Sequence, residues 1–242
     1  MSRLKGEIAL VTGAGSGIGR AVAMALSAEE CGLVLAGRRV ERLEETAIRV
    51  DGGEVLWAAT NVTDREAVGK LVDQALERFG RIDILVNNAG INTKRRGVGD
   101  IAPEDWDQVI GVNLTGVFNC VRAVLPTMQT QRDGLIVNIS SMAGKRVSVV
   151  GGAAYSASKF GVVSLTHSIN AEQWTYGIRA CVICPGEVET PILEQRPVPV
   201  SEKRRRNILR PEDVAAAVVF VATLPARAVV SEILIEPRVR AM

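Results

Sequence analysis

The sequence predicts a single α/β domain over residues 1–242, with a doubly wound parallel sheet covered by helices on both faces. Three observations lead to this fold class. Short apolar, β-branched runs alternate with longer segments of helical period along the whole chain. A glycine-rich turn separates the first of these runs from the first helix. No linker, repeat or low-complexity stretch divides the chain.

The spacing of apolar residues places the elements in order. Strands are expected over residues 7–11, 33–36, 55–58, 82–86, 135–139, 180–183 and 233–235. Helices are expected over 18–30, 40–50, 65–79, 103–128, 153–176 and 211–224, the last opened by a Pro-Glu-Asp start. The segment 191–210, rich in Pro and Arg, is expected to be irregular. Its basic run 203–206 predicts a solvated loop or short helix, and a phosphate-binding patch is the alternative.

The composition restricts the class of protein. Hydrophobic residues make up 47% of the chain, which allows a large core, and the formal net charge is only +2. We therefore expect neither a nucleic-acid partner nor a membrane partner. No apolar run approaches the roughly 20 residues that cross a bilayer. The first residues lead directly into a strand and leave no room for a signal peptide, so a cytoplasmic protein is expected.

The four cysteines are too few and too scattered for a disulfide framework. Cys181 and Cys184 form a C-x-x-C pair, and a redox or metal role is the alternative to two buried structural thiols. A redox pair places its first cysteine at a helix N-terminus, whereas this pair lies in a predicted strand. His167 is the only histidine, so the sequence offers too few ligands for a tetrahedral zinc site. No metal site is expected.

The first strand runs into Thr12-Gly13-Ala14-Gly15-Ser16-Gly17-Ile18-Gly19, and a helix follows. Glycines in such a turn allow a close approach of the backbone to a diphosphate, whose charge then faces the helix N-terminus. The position of the turn at the first strand–helix junction predicts a dinucleotide site. Its expected contacts are Gly13, Ser16, Gly17, Ile18 and Gly19.

Two arginines follow the second strand, where a fold that binds NAD usually offers a carboxylate to the ribose 2′-hydroxyl. A guanidinium at Arg38 or Arg39 can instead hold a 2′-phosphate through charge-assisted hydrogen bonds. The alternative is that both are solvated residues at a helix start, although a cation gains nothing from the positive end of a helix. The sequence therefore predicts NADP(H) as the cofactor.

Tyr155 and Lys159 stand four residues apart and share one helix face. The ordinary pKa of tyrosine is about 10, too high for proton exchange near neutral pH. An ammonium roughly 4 Å from the phenol, at an effective dielectric near 20, contributes on the order of 4 kcal/mol. We therefore expect Lys159 to lower the pKa of Tyr155 toward the working range, with Tyr155 as general acid and base.

Further polar residues stand at predicted strand ends, where ligands bind in an open α/β sheet. Ser141 follows the fifth strand and is expected to hold the substrate oxygen beside the phenol. The motif Asn87-Asn88-Ala89-Gly90 follows the fourth strand, and Pro185-Gly186 follows the sixth. These ends are expected to converge on one crevice.

With these motifs in order, the chain resembles the short-chain dehydrogenase/reductase family over essentially its whole length. The resemblance is carried by Thr12-Gly13-x-x-x-Gly17-x-Gly19, Asn87-Asn88-Ala89-Gly90, Asn113, Ser141, Tyr155-x-x-x-Lys159 and Pro185-Gly186. It implies a Rossmann-like fold and catalytic roles for Ser141, Tyr155, Lys159 and Asn113, the last holding a water that relays protons toward Lys159. It also implies cofactor contacts from Asn61, Val62, Asn87, Ala89, Gly90, Tyr155, Lys159, Pro185, Gly186, Val188 and Thr190. Asn61 stands where the family commonly has Asp.

The predicted activity is the transfer of a hydride between NADP(H) and a small or medium carbonyl or alcohol substrate. A non-redox relative, such as an epimerase or dehydratase, and a cofactor-sensing protein without turnover are the alternatives. Substrate loops are expected at about 90–100, 141–152 and 191–210, with Met142 lining the pocket. The resemblance also implies a homodimer or homotetramer, with the Tyr155 helix and the preceding long helix in the interface.

Overall fold

The computed structural model describes residues 2–239; residue 1 and residues 240–242 of the predicted domain lie outside this range. Within it, the strands form one parallel sheet in the order β3-β2-β1-β4-β5-β6-β7. The strands are Ile8–Thr12 (β1), Gly32–Gly37 (β2), Val55–Ala59 (β3), Ile84–Asn87 (β4), Gly134–Ile139 (β5), Ile178–Pro185 (β6) and Glu232–Ile235 (β7). The strand order reverses between β1 and β4, and the loops that leave this point open a crevice at the carboxyl edge.

Helices cover both faces of the sheet. They are Gly17–Ala28 (α1), Val40–Ala47 (α2), Arg65–Phe79 (α3), Pro103–Ile110 (α4), Gly116–Gln131 (α5), Ala153–Gln173 (α6), Glu202–Arg205 (α7) and Pro211–Ala222 (α8). The predicted helix 153–176 ends in a single 3-10 turn over Trp174–Tyr176. The Rossmann-like, single-domain fold predicted from the sequence is confirmed.

The alternation of side chains along the buried strands separates two hydrophobic cores. Val11 of β1 faces the core formed with α1 and α8, where it joins Val22 and Val218. Leu10, one residue earlier, faces the opposite core with α3, α5 and α6, which includes Val124. Because both faces of the sheet are covered, the strands are apolar throughout and not alternately polar. These two layers hold the strand ends, and hence the crevice, in fixed positions.

The predicted helix 103–128 is interrupted. A π-helical turn over Gly111–Thr115 joins α4 to α5, and α5 continues to Gln131. A π turn inserts an extra residue into the helical register and is frequent at functional sites. The apolar spacing of the sequence did not predict it, because both flanking segments keep their own helical period.

The expectation that no apolar run approaches the length of a membrane span is wrong for Pro103–Gln131, which is long and apolar enough to cross a bilayer by length and composition alone. In this fold it packs on the sheet, with Val117, Val121, Val124 and Met128 buried against it. This arrangement is typical of a core helix in a globular domain.

Cys181 and Cys184 lie on β6 with their side chains in opposite cores. Burial raises the pKa of Cys181 to about 12 and raises that of Cys184 as well. All four thiols are free and buried, as predicted for structural cysteines. Across residues 2–239, no group of three or more His, Cys, Asp or Glu side chains is arranged to hold a metal ion.

Candidate active site

A large cavity of about 1370 Å³ opens at the carboxyl edge of the sheet. It is lined by the turns that follow β1, β2, β4, β5 and β6, together with the segment that contains α7. Such a volume exceeds the roughly 300–1,000 Å³ of a pocket for one small ligand, so it has room for a dinucleotide beside a substrate.

The glycine turn after β1 leaves no space for side chains. Gly13 and Gly17 have φ angles of +65° and +52°, which favour glycine. A Cβ at Gly19 would lie 2.4 Å from the carbonyl oxygen of Gly13, and one at Gly17 would lie 3.1 Å from Cγ2 of Thr190. Ser16 precedes α1 without capping it, and the first turn of α1 carries no acidic residue. The free amide groups of this turn therefore fit a diphosphate.

The turn is fixed by Thr12 and Asn88, whose side-chain roles the sequence did not predict. The Thr12 hydroxyl accepts hydrogen bonds from the backbone N–H groups of Asn88 and Ala89, at 3.0 and 3.1 Å. The Asn88 amide in turn donates to the Thr12 carbonyl at 3.0 Å. These bonds connect the β1 and β4 turns across the point where the strand order reverses.

Arg38 and Arg39 lie directly after β2, exposed at the rim of the cavity. Their guanidinium groups form no ion pair or hydrogen bond with any residue in the described range. Arg42 of α2 lines the same region but is paired with Glu45. Thr60 and Asn61, which follow β3, complete this end of the cavity. This end of the cavity thus presents two arginines that have no partner among the described residues.

Ser141 and Tyr155 face each other at the other end of the cavity. The Ser141 hydroxyl accepts a hydrogen bond from the backbone N–H of Ala143 at 3.1 Å, which orients it at the end of β5. The Ser140 hydroxyl donates to the Lys159 carbonyl at 2.9 Å and holds α6 close to this turn. The Ser141 hydroxyl also acts on the Tyr155 phenol and partly opposes the rise of its pKa, so the predicted pair is brought close together.

The predicted lowering of the Tyr155 pKa by Lys159 is wrong in this structure. Burial raises the pKa of Tyr155, and the Ser141 hydrogen bond and the charges of Arg96 and Arg196 oppose this only in part. Lys159 lies on the same helix face as predicted, but its Nζ is 5.6 Å from the centroid of the Tyr155 ring. The amine donates instead to the carbonyl oxygen of Ile139 at 2.8 Å.

Lys159 is itself strongly affected by its surroundings. It is 4% exposed, and burial lowers its pKa from 10.5 to about 8. No carboxylate forms an ion pair with it among residues 2–239. Its Nζ would lie 3.8 Å from a Cβ built on Gly90, so the amine reaches the floor of the cavity between β4 and β5.

Asn113 is in the π turn and is fully buried. Its Oδ1 accepts from the Ile91 N–H at 2.8 Å, and its Nδ2 donates to the Ile91 carbonyl at 3.0 Å and to the Ser158 hydroxyl at 3.3 Å. The side chain therefore joins the β4 loop to α6 beside Lys159. The π turn supplies the local geometry that directs Asn113 inward.

Most of the residues predicted for cofactor binding line the cavity. These are Gly13, Ser16, Gly17, Ile18, Arg38, Arg39, Asn61, Val62, Ala89, Gly90, Tyr155, Lys159, Pro185, Gly186, Val188 and Thr190. Gly19, Asn87 and Asn113 do not line the cavity and lie behind the residues that do. The Asn87 amide, for example, donates to Asn138 Oδ1 inside the sheet. Met142 lines the substrate end, as predicted.

The sequence analysis did not name Gly15, Arg42, Thr60 or Asn88 as lining residues, whereas Ile91 and Arg96 lie in the substrate loop that it predicted at about 90–100. Gly15 and Asn88 lie inside motifs that the sequence analysis did identify, so these motifs were the signal that could have pointed to them. Nothing in the local sequence distinguishes Arg96 from Arg95, although one is buried and the other exposed.

The basic segment 203–206 lies in and just after α7, close to the short helix the sequence predicted. Arg204 forms an ion pair with Glu187 at 2.7 Å, Arg196 binds the same carboxylate at 2.7 Å, and Arg205 pairs with Glu189. Burial alone would raise the pKa of Glu187, but the hydrogen bonds from the two arginines hold it below its ordinary value. These pairs fasten the 191–210 segment over the cavity.

The comparison with known families agrees with this geometry. Residues 7–198 match the protein family described as short chain dehydrogenase. The chain belongs to the short-chain dehydrogenase/reductase family. The family resemblance predicted from the sequence is confirmed, and this short-chain dehydrogenase is an oxidoreductase.

Known relatives cover nearly the whole chain. The 3-oxoacyl-(acyl-carrier-protein) reductase of Thermotoga maritima is 40% identical over 233 residues, covering 91% of this chain and 92% of the relative. An alcohol dehydrogenase from the archaeon Thermococcus sibiricus, complexed with 5-hydroxy-NADP, is 29% identical with a TM-score of 0.88 and covers 98% of each chain. A 3-ketoacyl-(acyl-carrier-protein) reductase from Brucella melitensis, complexed with NADH, is 31% identical with a TM-score of 0.89, covering 96% of this chain and 98% of that one.

The cavity of this short-chain dehydrogenase fits the nicotinamide cofactors named for these neighbours. The glycine turn leaves room for backbone contact with a diphosphate, and the residues that follow β2 and β3 provide polar groups for an adenosine ribose and its base. The chain is therefore an oxidoreductase of this family with a nicotinamide cofactor.

Proposed function

We propose that this short-chain dehydrogenase uses NADP(H) to interconvert a carbonyl group and an alcohol on a small or medium substrate, with Tyr155 as the general acid and base. The observation that carries the proposal is the neighbouring pair of Ser141 and Tyr155 hydroxyls. It lies above the buried Lys159, in the same cavity as the glycine turn. A binding module has no need of a buried phenol and a buried amine at the end of its ligand cavity.

The preference for NADP(H) is supported by Arg38 and Arg39, which have no partner among the described residues. No carboxylate stands directly after β2 to repel a 2′-phosphate. The two guanidinium groups would hold that phosphate, the glycine turn would hold the diphosphate, and Val188 and Thr190 would contact the nicotinamide end. When bound, the cofactor supplies or accepts the hydride.

The residues of the chain handle the proton and the orientation of the substrate. Burial raises the pKa of Tyr155 above its ordinary value, so the phenol keeps its proton near neutral pH. A carbonyl oxygen that gains a hydride becomes a more strongly basic alkoxide, which takes that proton from the phenol. Ser141 orients that oxygen beside the phenol. Asn113 and Lys159 lie behind the pair and connect it to the β4 loop, where a proton can be replenished.

The proposal also includes the oligomeric state and the cellular location of the protein. Phe118 of α5 and Phe160 of α6 are each 42% exposed, on the two helices that the sequence places in a homodimer or homotetramer interface. Burying such aromatic side chains between copies would remove them from water. Cysteines without disulfides, throughout the described range, fit the reducing cytoplasm.

The test compares Tyr155→Phe with Tyr176→Phe, which changes the only other tyrosine of the chain. Each variant is mixed with NADPH and a panel of ketones, aldehydes and oxo acids, and the nicotinamide absorbance is followed. Loss of the general acid should lower the wild-type rate by about 100-fold or more in Tyr155→Phe and leave Tyr176→Phe unchanged. NADPH affinity should be the same in all three proteins.

Other outcomes would overturn the proposal. Near-normal rates in Tyr155→Phe would remove the phenol from the reaction. Tight cofactor binding without NADPH oxidation on any compound would favour an epimerase, a dehydratase or a cofactor sensor. Equal use of NADH would refute the role given to Arg38 and Arg39.

A further inference from the structure

Arg96 is in the loop that follows β4, and its backbone is held against the start of α6. Its carbonyl oxygen accepts a hydrogen bond from the N–H of Ala153, the first residue of α6, at 3.0 Å. Gly152 has a φ of +81°, and a Cβ there would lie 2.5 Å from Cβ of Arg96. A Cβ on the adjacent Gly151 would lie 3.4 Å from the Tyr155 ring. Arg96 is therefore placed next to the proposed general acid by close packing.

The side chain of Arg96 is buried, with 7% of its surface exposed, and it lines the cavity. Its Nη1 donates to the carbonyl oxygen of Val150 at 2.9 Å, and its Nη2 donates to that of Gln195. Its Nε is buried and has no hydrogen-bond partner. The two carbonyl groups belong to the 141–152 and 191–210 segments and hold the guanidinium in place. Neither of them accepts a hydrogen bond from Nε.

A buried cation is normally paired, because removal of its charge from water is unfavourable. In residues 2–239, the other buried charged side chains are Lys159 and Asp83. Asp83 is paired with Arg81. Arg96 forms no ion pair with any carboxylate in that range. Burial and the nearby charge of Arg196 both lower the pKa of Arg96, so its surroundings already disfavour a cation.

The charge nevertheless acts on the reaction site. The positive charges of Arg96 and Arg196 both stabilise the ionised phenol of Tyr155. Arg196 has its own counter-ion in Glu187, whereas Arg96 has none among the described residues. An anion that enters the substrate end of the cavity would therefore meet the unneutralised guanidinium of Arg96.

We propose that the substrate carries a carboxylate, which Arg96 binds while the neighbouring carbonyl or hydroxyl group lies between Ser141 and Tyr155. The substrate class is then a small oxo acid or hydroxy acid. This inference rests on the proposed redox function and specifies its substrate. The charge of one guanidinium matches a monoanionic carboxylate better than a phosphate dianion, which would need further charge.

The experiment uses the protein saturated with NADPH and pairs of substrates that differ only in charge. Short 2-oxo and 3-oxo acids are compared with their methyl esters, and kcat/KM is measured for each. The wild-type protein should prefer the acid of each pair. Arg96→Gln should lower kcat/KM for the acids by roughly 10- to 100-fold more than for the esters, because both reactions lose the effect of the charge on Tyr155 but only the acids also lose their counter-ion.

Two further variants distinguish recognition from a structural role. Arg95→Gln changes an exposed cation in the same loop and should affect neither substrate. Arg96→Lys keeps the charge but loses the planar fork, so it should restore part of the activity on the acids. A purely structural Arg96 would instead lower the rates for acids and esters by the same factor, and that result would overturn the inference.

The wild-type protein alone also decides the question if the variants fail to fold. Propanoate should inhibit turnover more strongly than propanamide, which has the same shape without the charge. Equal inhibition, or esters and neutral ketones used as well as the acids, would overturn the inference and leave the proposed redox function standing. Absence of NADPH oxidation with every acid, ester and ketone would instead refute the redox function on which the inference rests.

Discussion

Replacement of Lys159 by methionine should change how the stability of the protein depends on pH, by an amount that follows from the pKa of this lysine. Lys159 has a pKa of about 8 in the folded protein and an ordinary value of 10.5. Between these pH values the unfolded chain holds more protons on this group than the folded chain does. Raising the pH therefore favours the folded state of the wild-type protein, and Lys159→Met removes this effect.

The size of the effect follows from the two pKa values. Burying this amine destabilises the folded state by about 3 kcal/mol at pH 7, where it stays mostly charged, and by about 2 kcal/mol at pH 9, where it has mostly lost its proton. The variant also loses the hydrogen bond to the Ile139 carbonyl, but that loss is nearly the same at both pH values. The free energy of unfolding of the wild type, relative to the variant, should thus rise by about 1 kcal/mol between pH 7 and pH 9.

Urea unfolding of the cofactor-free protein, followed by tryptophan fluorescence at several pH values, measures this difference. Lys94→Met serves as the control, because it removes an exposed lysine from a surface loop. The wild type and the control should differ by an amount that does not change with pH. A difference between wild type and Lys159→Met that stays constant within about 0.3 kcal/mol would refute the claim that burial lowers the pKa of this lysine.

Two further predictions concern the cofactor preference and the core. Arg38→Asp should lower the ratio of kcat/KM for NADPH over NADH by roughly 10- to 100-fold, since it replaces an attractive charge by a repulsive one; an unchanged ratio would shift the role to Arg39. Asp83→Ala should lower the free energy of unfolding by about 2–3 kcal/mol in urea, because Asp83 accepts the Ile8 N–H at 2.8 Å and pairs with Arg81. Asp73→Ala, on the exposed side of α3, is the control, and equal losses in both variants would contradict the role of Asp83.

The sequence by itself determined the order of strands and helices and the position of the main motifs. Alternating apolar runs predict a parallel sheet because each run must be buried on both faces. The need for glycine in the first turn is also a local property, since a Cβ at Gly19 would collide with the turn itself. Four-residue spacing on a helix likewise places Tyr155 and Lys159 on one face without knowledge of the rest of the fold.

Only the tertiary structure decided the electrostatics of the site. The spacing of Tyr155 and Lys159 gives no information about the local dielectric or about the bond to Ile139, so the direction of the Tyr155 pKa was mispredicted. The same holds for Arg96, which is buried because the segments around residues 96, 150 and 195 meet in space. Burial and charge depend on contacts between parts of the chain that are far apart in sequence, and local patterns do not contain them.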